Sequence, residues 1–410
     1  MAGRKVISNI RGLLNVAPVK SDLSRPSVEP LAQIENAWLS IENHTITNYG
    51  AMDQWPVISG DNNTEVIDAS GCYVLPAWCD SHTHIVFAGS RVNEFVDRIN
   101  GLSYSEIAAN GGGILNSARL LQQTSEEELF QCALSRLLQC VEYGTGAIEI
   151  KSGYGLTLEA ELKMLRVIRR LKEVSPIPVV STFLAAHAIP DEYKGNANAF
   201  VAEVMRLYIP TVAQEGLADY IDVFCETGYF NAEQTNKILD CASSYGLQPK
   251  IHVNQFSIIG GVQVGVACNA RSVDHLELLA TSDVESLRNS STMPVALPAC
   301  SLYLGIPYTP ARVLLDAGIP VALATDFNPG SAPSGNMNLV NSLACINMRM
   351  RPDEVIMAST IHGAYAMGIN GTLGSISVGK KANLIITKPM KNFSEMMYHF
   401  GDNPVGKMIL

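Results

Sequence analysis

The sequence predicts an α/β fold, a (β/α)8 TIM barrel with a small β-sandwich domain composed of the N- and C-terminal segments. Three observations predict it. The chain has 410 residues, which suits a large barrel and an accessory unit. Short apolar runs alternate with helical segments, and polar residues follow the runs at their carboxyl ends. We therefore assign residues 71–374 to the barrel and residues 1–70 with 375–410 to the sandwich.

Both ends of the chain have the pattern of β structure. Residues 38–41 alternate apolar and polar side chains, as a strand does. Residues 374–386 have the pattern of a hairpin. We expect the two ends to pair with each other in one domain.

The middle of the chain alternates strands with helices. Residues 126–143 and 158–174 have helical periodicity. Such alternation implies a parallel sheet, and eight units fit a closed barrel better than an open sheet. The eight apolar runs are residues 73–79, 147–150, 178–185, 220–225, 249–253, 272–274, 293–297 and 319–324.

Composition excludes several classes of protein. Hydrophobic residues make up 47% and charged residues 17%, which is typical of a folded chain with a large core. A net charge of -10 argues against a nucleic-acid partner. The most apolar segment, residues 293–325, contains five prolines and two charges, so we expect no membrane span. Nine cysteines without a C-x-x-C pair indicate free thiols in a reducing, cytoplasmic setting.

Histidines and acids concentrate where barrel enzymes carry their chemistry. Active sites in these barrels lie at the carboxyl ends of the strands. Five of the eight histidines fall at such ends, namely His82, His84, His187, His252 and His275.

Four of these strand-end residues predict a metal site. His82 and His84 are two residues apart, so a strand places both imidazoles on one face. His252 ends the fifth run and Asp326 the eighth. An isolated H-x-H pair is usually structural, but four candidates on three strands favour one divalent ion, Zn(II) or Fe, that activates water for hydrolysis.

His275 follows the sixth run and has two interpretations of equal weight. It can relay a proton as the partner of Asp326 or of the activated water. It can also be a buried histidine satisfied by backbone groups. Asp274, its neighbour, is expected to be a structural cap.

Longer motifs resemble a known family. Residues 74–84 (VLPAWCDSHTH) resemble the first-strand signature of the amidohydrolase superfamily, with Ala77 where glycine is usual. The motifs that resemble the imidazolonepropionase family, over nearly the whole chain, are residues 87–91 (FAGSR), 108–114 (AANGGGI), 149–156 (EIKSGYGL), 185–190 (AAHAIP) and 324–331 (ATDFNPGS).

This resemblance implies hydrolysis of 4-imidazolone-5-propanoate to N-formimidoyl-L-glutamate, a step of histidine degradation. It also implies one zinc or iron ion, a small-molecule substrate and a homodimer. A related amidohydrolase or deaminase acting on another cyclic amide or nitrogen heterocycle is the alternative. A non-catalytic metal-binding homologue ranks lower, because all four ligands are present.

The resemblance also implies roles for individual residues. Arg91 would bind the substrate propionate, since a guanidinium grips a carboxylate with two hydrogen bonds; the alternative is a surface ion pair with Glu94. Tyr154 and His187 would contact the ring, unless they are a rim aromatic and a core histidine. The loop residues that would contact substrate, unless they form only a turn, are Asn328, Gly330 and Ser331.

The sequence departs from the family pattern at Gln255, where glutamate is common. Glutamine can hydrogen-bond the ring but cannot accept a proton. We therefore expect Asp326 and His275 to take up the proton of the attacking water, with His187 and the metal stabilising the oxyanion.

Overall fold

The computed structural model describes residues 4–17, 24–55, 64–102, 106 and 112–410. Residues 108–111 of the glycine-rich motif lie outside this part. The described strands are β1 (Arg4–Leu14), β2 (Gln33–Glu42), β3 (Thr45–Ala51), β4 (Thr64–Asp68), β5 (Tyr73–Pro76), β6 (Trp78–Thr83), β7 (Thr145–Lys151), β8 (Val179–Ala186), β9 (Tyr220–Cys225), β10 (Gln248–Pro249), β11 (Ile251–Val253), β12 (Ser272–His275), β13 (Met293–Ala296), β14 (Ala322–Leu323), β15 (Leu384–Thr387) and β16 (Val405–Ile409).

The barrel is a closed ring of parallel strands. Its order is β14-β13-β12-β11-β9-β8-β7-β6, with β10 beside β9. The ring closes between the last and first strands, where the Asp326 amide donates to the His82 carbonyl over 2.9 Å and Thr83 bridges Phe327. The predicted (β/α)8 barrel is confirmed.

Both ends of the chain meet in the second sheet. Its order is β16-β15-β5-β1-β2-β3, with β4 beside β1. The central strand β5 runs parallel to β1 and antiparallel to β15, so that Val74 faces Leu13 on one side and Ile386 on the other. This confirms the predicted small β domain from the two termini, which has its own core around Ile7, Leu39 and Leu384.

Two details differ from expectation. The prediction of a hairpin at residues 374–386 is wrong. Gly374 and Gly379 have positive φ angles, and a strand begins only at Leu384. The first apolar run splits: Tyr73–Pro76 joins the terminal sheet and only Trp78–Thr83 enters the barrel. The division at residues 71 and 374 stays a prediction.

Helices surround the barrel. The two predicted ones are Glu126–Glu142 and Leu158–Val174, each started by a hydroxyl cap, Ser125 or Thr157, that accepts a backbone N–H. The other described helices are Val92–Ile99, Gly113–Gln123, Ala197–Glu203, Ile209–Glu215, Ala232–Ser244, Gly261–Ala267, Thr281–Arg288, Pro298–Leu304, Ala311–Asp316, Met337–Met348, Pro352–Met357, Gly363–Ala366 and Glu395–Tyr398. The short 3-10 helices are Met52–Gln54 and Asp191–Tyr193, and the π-helical segments are Val204–Tyr208 and Ala358–His362. None of these helices has the length and apolarity to cross a membrane.

Candidate active site

Four residues meet at the carboxyl ends of the barrel strands. A ring nitrogen from each of His82, His84 and His252 lies within 4.8 Å of the others. Asp326 Oδ1 lies 3.6 Å from His82 Nε2 and 3.7 Å from His84 Nε2. His252 Nε2 is buried without a hydrogen-bond partner among the described residues. Three imidazoles, a carboxylate and an orphaned nitrogen fit a divalent metal ion.

Carboxylates fix the imidazoles that point to this centre. His82 Nδ1 lies 2.6 Å from Asp274 Oδ2, and His252 Nδ1 lies 2.9 Å from Asp222 Oδ1. An imidazole that donates from Nδ1 to a carboxylate keeps Nε2 free for a metal. The expectation that Asp274 is a structural cap is therefore wrong, since its side chain holds His82.

A buried lysine joins the two carboxylates. Lys151 Nζ lies 2.8 Å from Asp222 and 3.5 Å from Asp274, and also 2.7 Å from Glu149. Lys250 pairs with the other oxygen of Glu149. Burial lowers the pKa of Lys151, but Asp222 and Glu149 outweigh it and raise the pKa above its ordinary value. Lys151 therefore stays charged and balances the carboxylates that orient the imidazoles.

The histidines of the centre are held in the form that binds metals. Burial, together with Lys151 and the neighbouring imidazoles, holds the pKa of His82 well below its ordinary value. Burial, His187 and His252 act in the same way on the pKa of His84. Both imidazoles are therefore neutral at pH 7, and a neutral nitrogen can donate its lone pair to a cation.

The loop after β14 wraps around Asp326. This residue has a φ of 56°, and its carbonyl accepts from Asn328 Nδ2 over 2.6 Å. Asn328 Oδ1 accepts from the amides of Gly330 and Ser331 over 2.7 and 2.8 Å. Ser331 Oγ lies 3.3 Å from Asp326 Oδ2. The segment is thus a side-chain-braced turn, and it also forms part of a cavity wall.

A cavity of about 820 Å³ opens beside the four residues, a volume suited to a small molecule. It brings together the residues that the sequence assigned to substrate and proton chemistry. The predicted substrate and proton-transfer residues that line the cavity are Arg91, Tyr154, His187, Gln255, His275, Asp326, Asn328, Gly330 and Ser331, and the predicted metal ligands His84 and His252 also line it.

Arg91 contributes a guanidinium to this cavity. It pairs with Glu94 over 2.5 Å, and both side chains are about nine-tenths buried, so the pair is not at the surface. Glu94 also accepts from the Gly113 amide over 3.0 Å. A Cβ on Gly330 would lie 2.2 Å from Arg91 Nη1, so the guanidinium passes directly over a glycine.

His187 and Tyr154 form an aromatic wall over the metal ligands. The His187 ring stacks on His84 at 5.3 Å, and Tyr154 packs edge-on against His187 at 5.4 Å. His187 Nδ1 donates to the Gly153 carbonyl over 3.1 Å. Burial and His252 lower the pKa of His187 to about 3. A neutral His187 therefore presents Nε2 to the cavity.

Comparison with known proteins gives relatives over the full length of the chain. The imidazolonepropionase of Christiangramia forsetii is 56% identical over 406 residues, covering 99% of this chain and 98% of the relative. That of Flavobacterium johnsoniae is 55% identical with the same coverage. The Amidohydrolase family model matches residues 265–405. The chain belongs to the imidazolonepropionase family.

Solved structures agree with the barrel. An adenosine deaminase from Xanthomonas campestris with bound zinc has a TM-score of 0.69 at 14% identity, covering 99% of this chain and 91% of that one. The guanine deaminase of Escherichia coli has a TM-score of 0.71 at 13% identity, covering 100% and 98%. At this identity the likeness concerns only the fold that this chain shares with these enzymes.

Gln255, where the resemblance predicts glutamate, lies in the cavity wall. Gln255 follows β11, and its amide nitrogen lies 3.4 Å from Cys300 Sγ. His275, from β12, makes its hydrogen bond through Nδ1 with Glu277 Oε1 over 3.2 Å. Burial lowers the pKa of His275, but Glu277 outweighs it and brings the pKa to about 8. A side-chain partner, rather than backbone, satisfies this ring.

Several residues of this imidazolonepropionase site were missed from the sequence. Asp222 and Glu277 orient histidines, and Arg98 adds a second guanidinium to the cavity. The available signal for Asp222 is a carboxylate inside the apolar run at residues 220–225. Glu277 lies two residues after His275, a spacing that indicates a possible partner for that histidine. No sequence pattern marks Arg98 as a cavity residue.

Proposed function

We propose that the protein hydrolyses 4-imidazolone-5-propanoate to N-formimidoyl-L-glutamate. It is a hydrolase that acts on a C–N bond of a cyclic amide. The observation that carries this is the near full-length identity of 55–56% to imidazolonepropionases. The cavity supports it, because a guanidinium, aromatic rings and four metal-binding groups line one space.

We propose that one divalent ion, zinc or iron, is held by His82, His84, His252 and Asp326. When bound, the ion supplies Lewis-acid chemistry, polarising the ring carbonyl and lowering the pKa of a water molecule. The orphaned Nε2 of His252 supports this assignment.

Arg91 and Tyr154 orient the substrate in the proposed complex. The guanidinium of Arg91 binds the propionate, which is the only charged end of the substrate that needs a cation. Tyr154 and His187 contact the flat ring from one side, while Asn328, Gly330 and Ser331 border it from the loop. Such fixed placement of the reacting atoms can contribute several kcal/mol to catalysis, with intramolecular reactions reaching roughly 7–11 kcal/mol.

The protons move between side chains of the chain. Asp326 and His275 take up the proton of the attacking water, and His275 Nε2 returns it to the ring nitrogen as the C–N bond breaks. Neutral His187, whose Nδ1 donates to the Gly153 carbonyl, accepts at Nε2 from an N–H of the substrate ring, and it stabilises the oxyanion as predicted only when Nε2 gains a proton. Gln255 hydrogen-bonds the ring without exchanging a proton.

Gln255 also keeps a second candidate open. A related hydrolase or deaminase for another cyclic amide or nitrogen heterocycle would use the same centre with a different ring contact. The Arg91 guanidinium over Gly330 favours a substrate with a carboxylate tail.

We further propose that the protein works as a homodimer in the cytoplasm on this small-molecule substrate. The family resemblance supports the dimer, and the acidic balance of -10 supports the absence of a nucleic-acid partner.

Turnover of freshly generated 4-imidazolone-5-propanoate tests the proposal, with zinc and iron content measured in the same sample. The native protein should form N-formimidoyl-L-glutamate, and His252→Ala should lose both metal and turnover. A metal-loaded native protein that is inactive, beside an active Gln255→Glu variant, would assign the natural substrate to another ring.

A further inference from the structure

Position 255 of this site carries an amide, Gln255, and therefore has no carboxylate that could take part in proton transfer. The Gln255 amide donates toward Cys300 Sγ at 3.4 Å and has no acidic proton to exchange near neutral pH. Asp326 lies at the metal centre, next to His82 and His84, where it can relay the proton of the attacking water but does not make the hydrogen bond that holds the His275 ring. The described cavity therefore needs another carboxylate to support an acid–base histidine.

Glu277 has the required position. Its side chain is fully buried, and its Oε1 lies 3.2 Å from His275 Nδ1. Ser301 Oγ is 3.5 Å from the same oxygen, whereas Oε2 is buried without a partner among the described residues. A buried carboxylate with an open oxygen is destabilising, so the fold keeps Glu277 here against a free-energy cost.

The backbone holds this geometry in a strained form. His275 has a φ of 86° and Leu276 a φ of 61°, both in the left-handed region that non-glycine residues avoid. Thr309 Oγ1 donates to the His275 carbonyl over 2.7 Å and secures the bend. The bend brings the side chains of residues 275 and 277 together, which is a costly arrangement for a merely structural contact.

We propose that Glu277 is a positioning residue that fixes the tautomer of His275, with the proton on Nδ1 and Nε2 facing the cavity. This inference rests on the proposed function. When water attacks, its O–H bond breaks and the proton passes by way of Asp326 to Nε2 of His275, while Glu277 stabilises the imidazolium. When the ring C–N bond breaks, the same proton moves to the leaving nitrogen and His275 is neutral again. Glu277 thereby supplies the carboxylate that Gln255 lacks.

Cys300 offers a competing interpretation of the same cluster. Its thiol lies within 4.8 Å of the ligand atoms of His275 and Glu277, so the three could hold a second cation. The direct contact of His275 with Glu277 favours a hydrogen-bonded pair, since the two atoms already satisfy each other. Metal stoichiometry separates the two.

The experiment compares the zinc-loaded native protein with Glu277→Gln, Gln255→Glu and the double variant. Glu285→Gln, an exposed acid on a nearby helix, is the matched control. We expect Glu277→Gln to lower kcat by about 10²–10⁴-fold, because glutamine can hold the wrong tautomer. KM and zinc content should stay unchanged, and the double variant should recover part of kcat.

Nitrogen-15 NMR of histidine-labelled native protein gives a test that needs no stable variant at 277. His275, assigned by its loss in His275→Asn, should show in its neutral form, measured at a pH above its pKa of about 8, a protonated Nδ1 and an unprotonated Nε2. The opposite tautomer, an unchanged kcat in Glu277→Gln, or a second zinc lost in that variant would each overturn the proposal. An inactive native protein with the expected tautomer would instead refute the proposed function.

Discussion

At the scale of single residues, the placement of Arg91 depends on position 330 being a glycine, which has no side chain. Gly330 leaves room for the guanidinium, which would otherwise lie 2.2 Å from a Cβ. Glu94 holds the other side of Arg91. The space at Gly330 and the ion pair with Glu94 therefore help to fix Arg91, which the sequence indicated only as an arginine in a motif that resembles the family.

Gly330→Ala should displace the Arg91 guanidinium and weaken substrate binding. We expect KM to rise by roughly 10–100-fold, equivalent to about 1.4–2.8 kcal/mol, with kcat and bound metal little changed. Steady-state kinetics with metal analysis measures this. The control is the same substitution in an Arg91→Ala background, where it should have almost no further effect. An equal rise in both backgrounds would show that position 330 acts without Arg91.

At the scale of elements, the strand ends carry features that periodicity does not reveal. Three residues at the carboxyl ends of barrel strands have a positive φ. The angles are 56° at Asn254, 86° at His275 and 56° at Asp326. Apolar runs predicted these strands, and the strand-end rule predicted that histidines and Asp326 gather there. The bends depend on tertiary hydrogen bonds, such as Thr309 to His275, so the sequence of one strand does not contain them.

The loop that carries Tyr154 depends on one buried acid of the following helix. Glu161, in Leu158–Val174, accepts from the amides of Gly153, Gly155 and Leu156 over 2.7–3.1 Å. Glu161→Gln removes the charge and one acceptor oxygen. We expect those amides to exchange hydrogen roughly 10–100-fold faster, from a loss of about 1.5–3 kcal/mol per charged hydrogen bond, and kcat/KM to fall about tenfold.

Mass spectrometry measures the rate of amide hydrogen exchange in the loop. Glu173→Gln is the control, because Glu173 is exposed on the same helix. Unchanged exchange at residues 153–156 in Glu161→Gln would mean that the loop is held by other contacts.

At the scale of the whole molecule, the sequence predicted the barrel and the joining of the ends, but not where the chain passes between the two sheets. Residues 73–79 form one apolar run because the strands of both sheets are buried. The sequence therefore does not reveal that the chain leaves the terminal sheet and enters the barrel at Ala77. The network of Glu149, Lys151, Asp222 and Asp274 was likewise beyond the sequence. Its members come from β7, β9 and β12 and meet only after the barrel closes.

Closure of the barrel also buries a histidine away from the cavity. His362 ends the π-helical segment Ala358–His362, and its Nδ1 donates to the Val321 carbonyl over 2.9 Å. Its Nε2 is buried without a partner among the described residues. Burial, with Arg25 nearby, lowers the pKa of His362 to about 4 despite that hydrogen bond. The unfolded chain would have the ordinary pKa of about 6.5.

This difference makes stability depend on pH. The folded pKa is the lower one, so between about 4 and 6.5 the unfolded state binds the proton more readily. Stability from a neutral His362 is therefore complete above about pH 6.5 and decreases as the pH falls toward 4. From pH 8 to 6 the native protein should lose about 1 kcal/mol of unfolding free energy through this residue. His362→Asn, which keeps a donor for Val321 but does not titrate, should lack that loss in urea unfolding at the two pH values. Parallel losses in both proteins would assign the pH dependence to other groups.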